Sequence, residues 1–174
     1  MDDLRYPIGK YIPQPFGATQ LQQWLYDIQY LPNHLENALL NLDEHQLETF
    51  YRPDGWTVKQ LVHHVADSHM NAYIRFKLGL TEDNPVIKPY EEAAWALLND
   101  TNNLPVNISI TLLFALHARW IEVLKSMTTE QWNRTVFHPE QNKTITLWHL
   151  LGMYAWHGLH HTAHITALRQ RSNW

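Results

Sequence analysis

No cysteine occurs among the 174 residues, which excludes a disulfide framework, a thiolate metal site and a cysteine nucleophile. Any metal here must take histidine, carboxylate or water. Charge is sparse as well, at 17% of the chain, below the roughly 25% usual in soluble proteins. The 13 Lys and Arg stand against 17 Asp and Glu, for a net charge of -4. A chain of that sign lacks the basic stripe that nucleic-acid binders carry, so DNA and RNA are not expected partners. The opening MDDLRYPIGKYIPQPFG begins acidic and has no apolar centre, unlike a secretory signal. An unbroken apolar run of about 18 residues is also missing, so no membrane span is expected and the cytoplasm is the expected location.

What is present in excess is histidine, 12 residues in all. Two short stretches, HHVADSH and HGLHHTAH, hold seven of them, and both lie inside apolar, periodic sequence rather than in a terminal tag. With 45% hydrophobic and 12% aromatic residues, the composition is that of one globular domain spanning 1–174.

The first 17 residues include Pro7, Pro13 and Pro15, which predicts an extended arm over 1–17. From Thr19 to Leu42, apolar residues recur at steps of three and four, the pattern of an amphipathic helix, with Pro32 expected to kink it. Pro53, Asp54 and Gly55 form a turn signal, and Thr57 is the expected N-cap of a second helix whose apolar stripe ends at Gly79. A short helix is expected around Tyr90 to Leu98, a third long helix from about Ser109 to Met127, and a fourth from about Thr146 to Arg169. No alternating strand pattern stands out, so the expected fold is all-α, a four-helix bundle with short extra helices. A weak internal repeat relates DEHQLETFYRPDGWTVKQLVHHVADSHMNAYIR to TTEQWNRTVFHPEQNKTITLWHLLGMYAWHGLHHTAH. It places the second and fourth long helices opposite one another, so that their histidines can meet.

His160 and His164 stand four apart on the fourth helix, on one face and within reach of a single ion. His64 is the expected third ligand, because it shares a face of the second helix with Asp67, Ser68 and Asn71, whereas His63 falls about 100° away. Three imidazoles favour a transition metal over magnesium or calcium, with zinc first and nickel second, one per chain. Three protein ligands leave a coordination position open, the arrangement of catalytic rather than structural zinc. No glutamate stands between His160 and His164, where Thr162 and Ala163 sit, so a zincin-type protease is not expected.

The stretches GWTVKQLVHHVADSHMNAYIRFKLGLTEDNPVIKPYEEAAW and WHGLHHTAHI, with YPIGKYIP, LHARW and FHPEQNKTITLWHLLGMYAWH, resemble the YfiT-like branch of the DinB superfamily over nearly the whole chain. The resemblance implies a four-helix bundle, often a homodimer, with a metal held by one histidine of the second helix and an HxxxH pair of the fourth. Carried onto this chain, these are His64, His160 and His164. It also implies a metal-dependent hydrolase, or, as in related members, a thiol-S-transferase using a low-molecular-weight thiol such as bacillithiol. A metal-binding stress protein without turnover is the remaining alternative, and the name of the superfamily, which refers to DNA damage, implies no DNA-binding surface.

For a hydrolase acting on a small-molecule substrate, Asp67 and His157 are the candidate proton shuttles. Asn71, His117, Arg119 and His161 are candidates to orient substrate or support the ligands. The tryptophans are expected in the core.

Overall fold

The computed structural model describes the backbone of residues 2–174 and side chains from Leu4 onward. Met1, part of the expected arm, lies outside the described residues. The arm is not wholly extended: α1 (Asp2–Arg5) makes one helical turn before the chain runs irregularly to Gly17. The remaining helices are α2 (Ala18–Leu39), α3 (Glu44–Leu47), α4 (Val58–Thr81), α5 (Glu92–Trp95), α6 (Asn99–Asn103), α7 (Val106–Lys125), α8 (Thr129–Trp132) and α9 (Leu147–Ser172).

The four long helices α2, α4, α7 and α9 form the bundle expected from periodicity, and α2 continues through the buried Pro32. Thr57 caps α4 as expected, accepting from the Gln60 amide while the Gln60 side chain accepts from the Thr57 amide. Three boundaries differ from the sequence expectation. The segment expected as one short helix near Tyr90 is two, α5 and α6, and the second of these occupies DTNN, which reads as loop. Helix α7 starts earlier, directly after Pro105, because proline as N-cap costs no helical donor. A two-stranded antiparallel hairpin, β1 (Thr135–His138) with β2 (Lys143–Thr146), precedes α9, turning through Asn142 at a positive φ of 48°. Each strand has only four residues, too short to show alternation in sequence.

Helix α7 contains no unbroken apolar run of about 18 residues, since His117, Arg119 and Glu122 interrupt it. By length and composition it is apolar enough to cross a membrane, with a mean hydropathy of 1.3 over an 18-residue window. In the bundle, its Leu113, His117, Trp120 and Leu124 are buried against α2 and α4.

The apolar core falls into two clusters. One gathers Trp24 and Ile28 of α2, Phe76 of α4, Trp120 and Leu124 of α7, and Leu147 to Ala155 of α9. The other gathers Leu31 and Leu35 of α2, Val58 to Ala66 of α4, Ile110 and Leu113 of α7, and Ile165 and Leu168 of α9. The numbering within each cluster shows that α2 and α9 run in one direction and α4 and α7 in the other. Close approach of the parallel pair is permitted by glycine: a Cβ on Gly158 would lie 2.7 Å from Leu31, and one on Gly152 would lie 2.5 Å from Trp24. Toward the middle of the bundle, three of these helices carry histidines: His64 and His69 on α4, His117 on α7 and four on α9.

Candidate metal centre

Along α4, positions 61, 62, 65 and 66 belong to one apolar cluster and 72 and 76 to the other; His69 lies in the stretch between and His64 at the inner edge of the first cluster, where its ring meets those of α9. Both are buried, His69 completely. On α9, residues 157, 160, 161 and 164 cover two adjacent strips of one helical surface. The pairs four apart are His157 with His161 and His160 with His164, and in each the Nε2 atoms stand 3.1 Å from one another.

Helix rotation decides which pair meets α4. His64 Nε2 lies 3.3 Å from His157 Nε2, and His64, His157 and His161 bring their ligand atoms within 4.8 Å of one another. The set expected from sequence, His64 with His160 and His164, is not assembled among the described residues. His160 and His164 gather instead with His161. The physical reason is a phase difference of three residues, about 60° around the helix, which turns His160 and His164 toward the aromatic rings of Trp156 and Tyr51. Trp156 stacks on His160 at 4.5 Å, and Tyr51 lies 4.2 Å from His164.

Electrostatics separates the two groups further. Burial lowers the His64 pKa to about 4, and burial with neighbouring imidazoles holds His157 and His161 well below the ordinary value. No fixed cation contributes to those shifts. His160 and His164 are also lowered, to about 4 and about 3, first by burial, but Arg52 adds to both and Arg171 to His164. A cation seated at the second group would meet two guanidinium charges, whereas at the first it would meet neutral lone pairs.

The donor set of the first group fits a transition metal. Tetrahedral ligands at the usual zinc–nitrogen length stand about 3.3 Å apart, close to the 3.1 and 3.3 Å separations here. Three neutral imidazole nitrogens packed so closely, with no carboxylate in the group, suit zinc, nickel, copper or iron and not a hard cation. His161 turns its Nε2 to the cluster, 3.1 Å from His157 Nε2, while its Nδ1, like that of His160, is buried without a hydrogen-bond partner.

His157 also lines a cleft of about 200 Å³ with Arg75, Tyr90, Glu92, His138 and Tyr154. Arg75 donates from Nη1 to Tyr154 Oη at 2.7 Å and from Nη2 to the Lys88 carbonyl at 3.3 Å, while its Nε is buried without a partner and so available to a ligand. The Tyr90 hydroxyl lies beside Ser68 in the same cleft. Burial raises the Tyr90 pKa, and it raises Glu92 against the opposing effect of Arg75.

The other sequence candidates divide. Asp67 is half-buried on α4, its carboxyl pushed up to about 6 by burial and by Asp100. Asn71 donates to the Asp67 backbone carbonyl at 2.9 Å. Arg119 is exposed and lies over the Tyr73 ring at 5.6 Å, outside the histidine group. His117 is buried in line with His69 and His157. Sequence reasoning did not single out His157 and His161 as the pair that meets His64, although HGLHH already contains their four-residue spacing. It also missed Arg75 and Tyr90, which carry no motif.

A family model described as the DinB superfamily matches residues 28–165. The chain is 53% identical over 175 residues, covering all of both chains, to a Bacillus cereus protein named "Putative metal-dependent hydrolase". A Bacillus anthracis protein of the same name matches to the same extent. Among solved structures, the chain is similar to YfiT from Bacillus subtilis, with a TM-score of 0.96, 46% identity and 99% of each chain covered. That protein is described as a probable metal-dependent hydrolase with an unusual four-helix bundle topology.

Proposed function

Since the chain belongs to the DinB superfamily, we propose that it is a metal-dependent hydrolase, with one zinc or nickel ion held by His64, His157 and His161. The observation that carries this reading is the convergence of those three side chains in the middle of the bundle, away from Arg52 and Arg171. When bound, the ion supplies Lewis acidity, polarising a carbonyl or similar group and making a water more acidic.

The chain's own residues do the rest. His157 belongs to both the histidine group and the cleft, so a small substrate in the cleft is presented to the site. The unpartnered Arg75 Nε orients it through an anionic or carbonyl oxygen, with the Tyr90 hydroxyl in the same cleft. Asp67 is the proton acceptor of this reading, since a carboxyl with a pKa of about 6 can take and return a proton near neutrality. His157, expected from sequence as a shuttle, is a ligand instead.

One observation favours the second reading, a thiol-S-transferase. The histidine group contains no carboxylate base, and a small thiol such as bacillithiol brings its own acidic proton. The outward apolar residues Leu97, Leu98, Leu104, Ile108 and Leu112 support a homodimer, which light scattering on the protein and on Ile108→Asp would test.

The deciding experiment is metal content of untagged protein by mass spectrometry, followed by assays of the loaded protein with ester substrates and with bacillithiol plus monochlorobimane. About one ion per chain is expected, with turnover of esters. Turnover of the thiol pair alone would select the transferase, and no metal after reloading with zinc or nickel would sink both readings.

A further inference from the structure

The buried His69 and His117 are left over by the reading above. His117 Nδ1 lies 2.5 Å from the backbone carbonyl of Ile28. A carbonyl only accepts, so the proton sits on Nδ1. A neutral imidazole has one N–H, so His117 Nε2 is an acceptor, and its partner at 3.1 Å is His69 Nδ1. His69 must therefore donate from Nδ1 and accept at Nε2, which stands 3.3 Å from His157 Nδ1. His157 in turn must donate from Nδ1, leaving its Nε2 with a free lone pair. That atom faces His64 Nε2 at 3.3 Å and His161 Nε2 at 3.1 Å.

We propose that His69 and His117 are positioning residues, a line of imidazoles anchored on the Ile28 carbonyl that locks His157 in the tautomer whose Nε2 can bind a metal. The proposal rests on the metal reading of His64, His157 and His161, but its core, the direction of the hydrogen bonds, holds in the metal-free protein. Neutrality of the line follows from its surroundings. His69 is fully buried and His117 is 1% exposed. The charges felt by His69 are those of other histidines, and no acid contributes at His117 either. The rings of Trp120 and Tyr154 stand edge-on to His69 at 5.8 and 5.5 Å. An ordinary apolar core would put Leu or Phe at 69 and 117, since buried imidazoles gain little unless their polar atoms are used.

The work such a line does is specific. Without it, His157 Nδ1 and Nε2 compete for one proton, and each ion bound must first displace the Nε2–H form. Partners on the far nitrogen of a ligating histidine fix its tautomer and ring orientation, and their loss weakens metal binding about 10–100-fold.

The test is long-range ¹H–¹⁵N NMR of histidine-labelled, metal-free protein at pH 8, with zinc affinity measured by competition against a chromophoric chelator. The Nδ1–H tautomer is expected at His117, His69 and His157. His117→Gln keeps an acceptor for His69 and a donor for Ile28 and should bind zinc within about threefold of the parent. His117→Phe keeps the ring but neither group; it should lose about 10–100-fold and shift His157 toward the Nε2–H form. Nε2–H at His157 in the parent protein would overturn the proposal, and so would wild-type affinity in a folded His117→Phe. The parent spectrum decides even if both variants unfold. Correct tautomers in a protein that takes up no zinc would sink the metal reading and leave the line of tautomers standing.

Discussion

At one end of the bundle Phe76, Leu124 and Leu147 fill space without a polar obligation, and at the other Leu31, Leu35, Leu61 and Leu113 do the same. The layer between them is equally buried, yet it is built from imidazoles in contact at 3.1 to 3.3 Å. Apolar layers gain free energy from every buried methylene. A histidine layer gains little on folding, because each ring exchanges water for a partner of similar strength. The difference teaches that the ends of the molecule hold it together while the middle gathers groups that could hold a metal ion. Changes in the two kinds of layer should therefore have opposite signatures.

The largest effect expected is on metal content. His64→Ala, His157→Ala and His161→Ala should each reduce the bound ion from about one per chain to a trace, while His160→Ala and His164→Ala retain it. Mass spectrometry of purified, reloaded protein checks this, and retention in His157→Ala alongside loss in His160→Ala would reverse the assignment. Truncation in an apolar layer should do the converse. Leu113→Ala is expected to cost about 2–5 kcal/mol in urea unfolding and to leave zinc stoichiometry intact; a mutant that keeps its stability but loses the ion would break the comparison.

Acid should destabilise the middle layer and leave the apolar layers unaffected. His117 has its pKa lowered to about 4 by burial, against an ordinary 6.5 in the unfolded chain. Because the folded value is the depressed one, its contribution is complete above pH 6.5 and is lost as pH falls toward 4. For this fully buried ring the whole difference is on the order of 3 kcal/mol. The urea midpoint of metal-free protein should fall from pH 7 to pH 4.5, and should fall less in His117→Phe relative to its own value at pH 7. Adding a methyl at Gly158, where α2 and α9 meet beside Leu31, should cost about 1–3 kcal/mol by overpacking, measured by thermal unfolding. The smallest expected effect belongs to Asp67. Its pKa is raised to about 6, so its neutral form stabilises below pH 4 and that contribution disappears as pH rises through 6. Asp67→Asn should thus be slightly more stable than the parent at pH 8 and equal to it at pH 4, by the same urea titration.

Much of this architecture was legible without coordinates. Steps of three and four apolar residues located α2, α4, α7 and α9, and the Thr57 cap was readable from TVKQ. The hairpin was not, because four half-buried residues per strand present no period. Within the site, His64 was legible from its polar neighbours on α4. The α9 pair was not, since HGLHHTAH holds two overlapping pairs with the same spacing. His117 was recognisable as a possible supporting residue, but nothing in a separation of 48 residues shows that it meets His69 at 3.1 Å.

What sequence by itself determined is therefore the four long helices, the absence of a thiol in the chain and the supply of imidazoles near the middle of two of those helices. These depend on local spacing and composition, which a linear chain displays in full. Only the tertiary structure decided that His157 and His161 turn toward His64 while His160 and His164 turn toward Trp156, Tyr51 and the field of Arg52. It alone also aligned His69 and His117 with the Ile28 carbonyl. Those outcomes depend on the rotation of each helix about its own axis, which is set by how Gly152 and Gly158 let α9 settle against Trp24 and Leu31 of α2, contacts between segments more than a hundred residues apart.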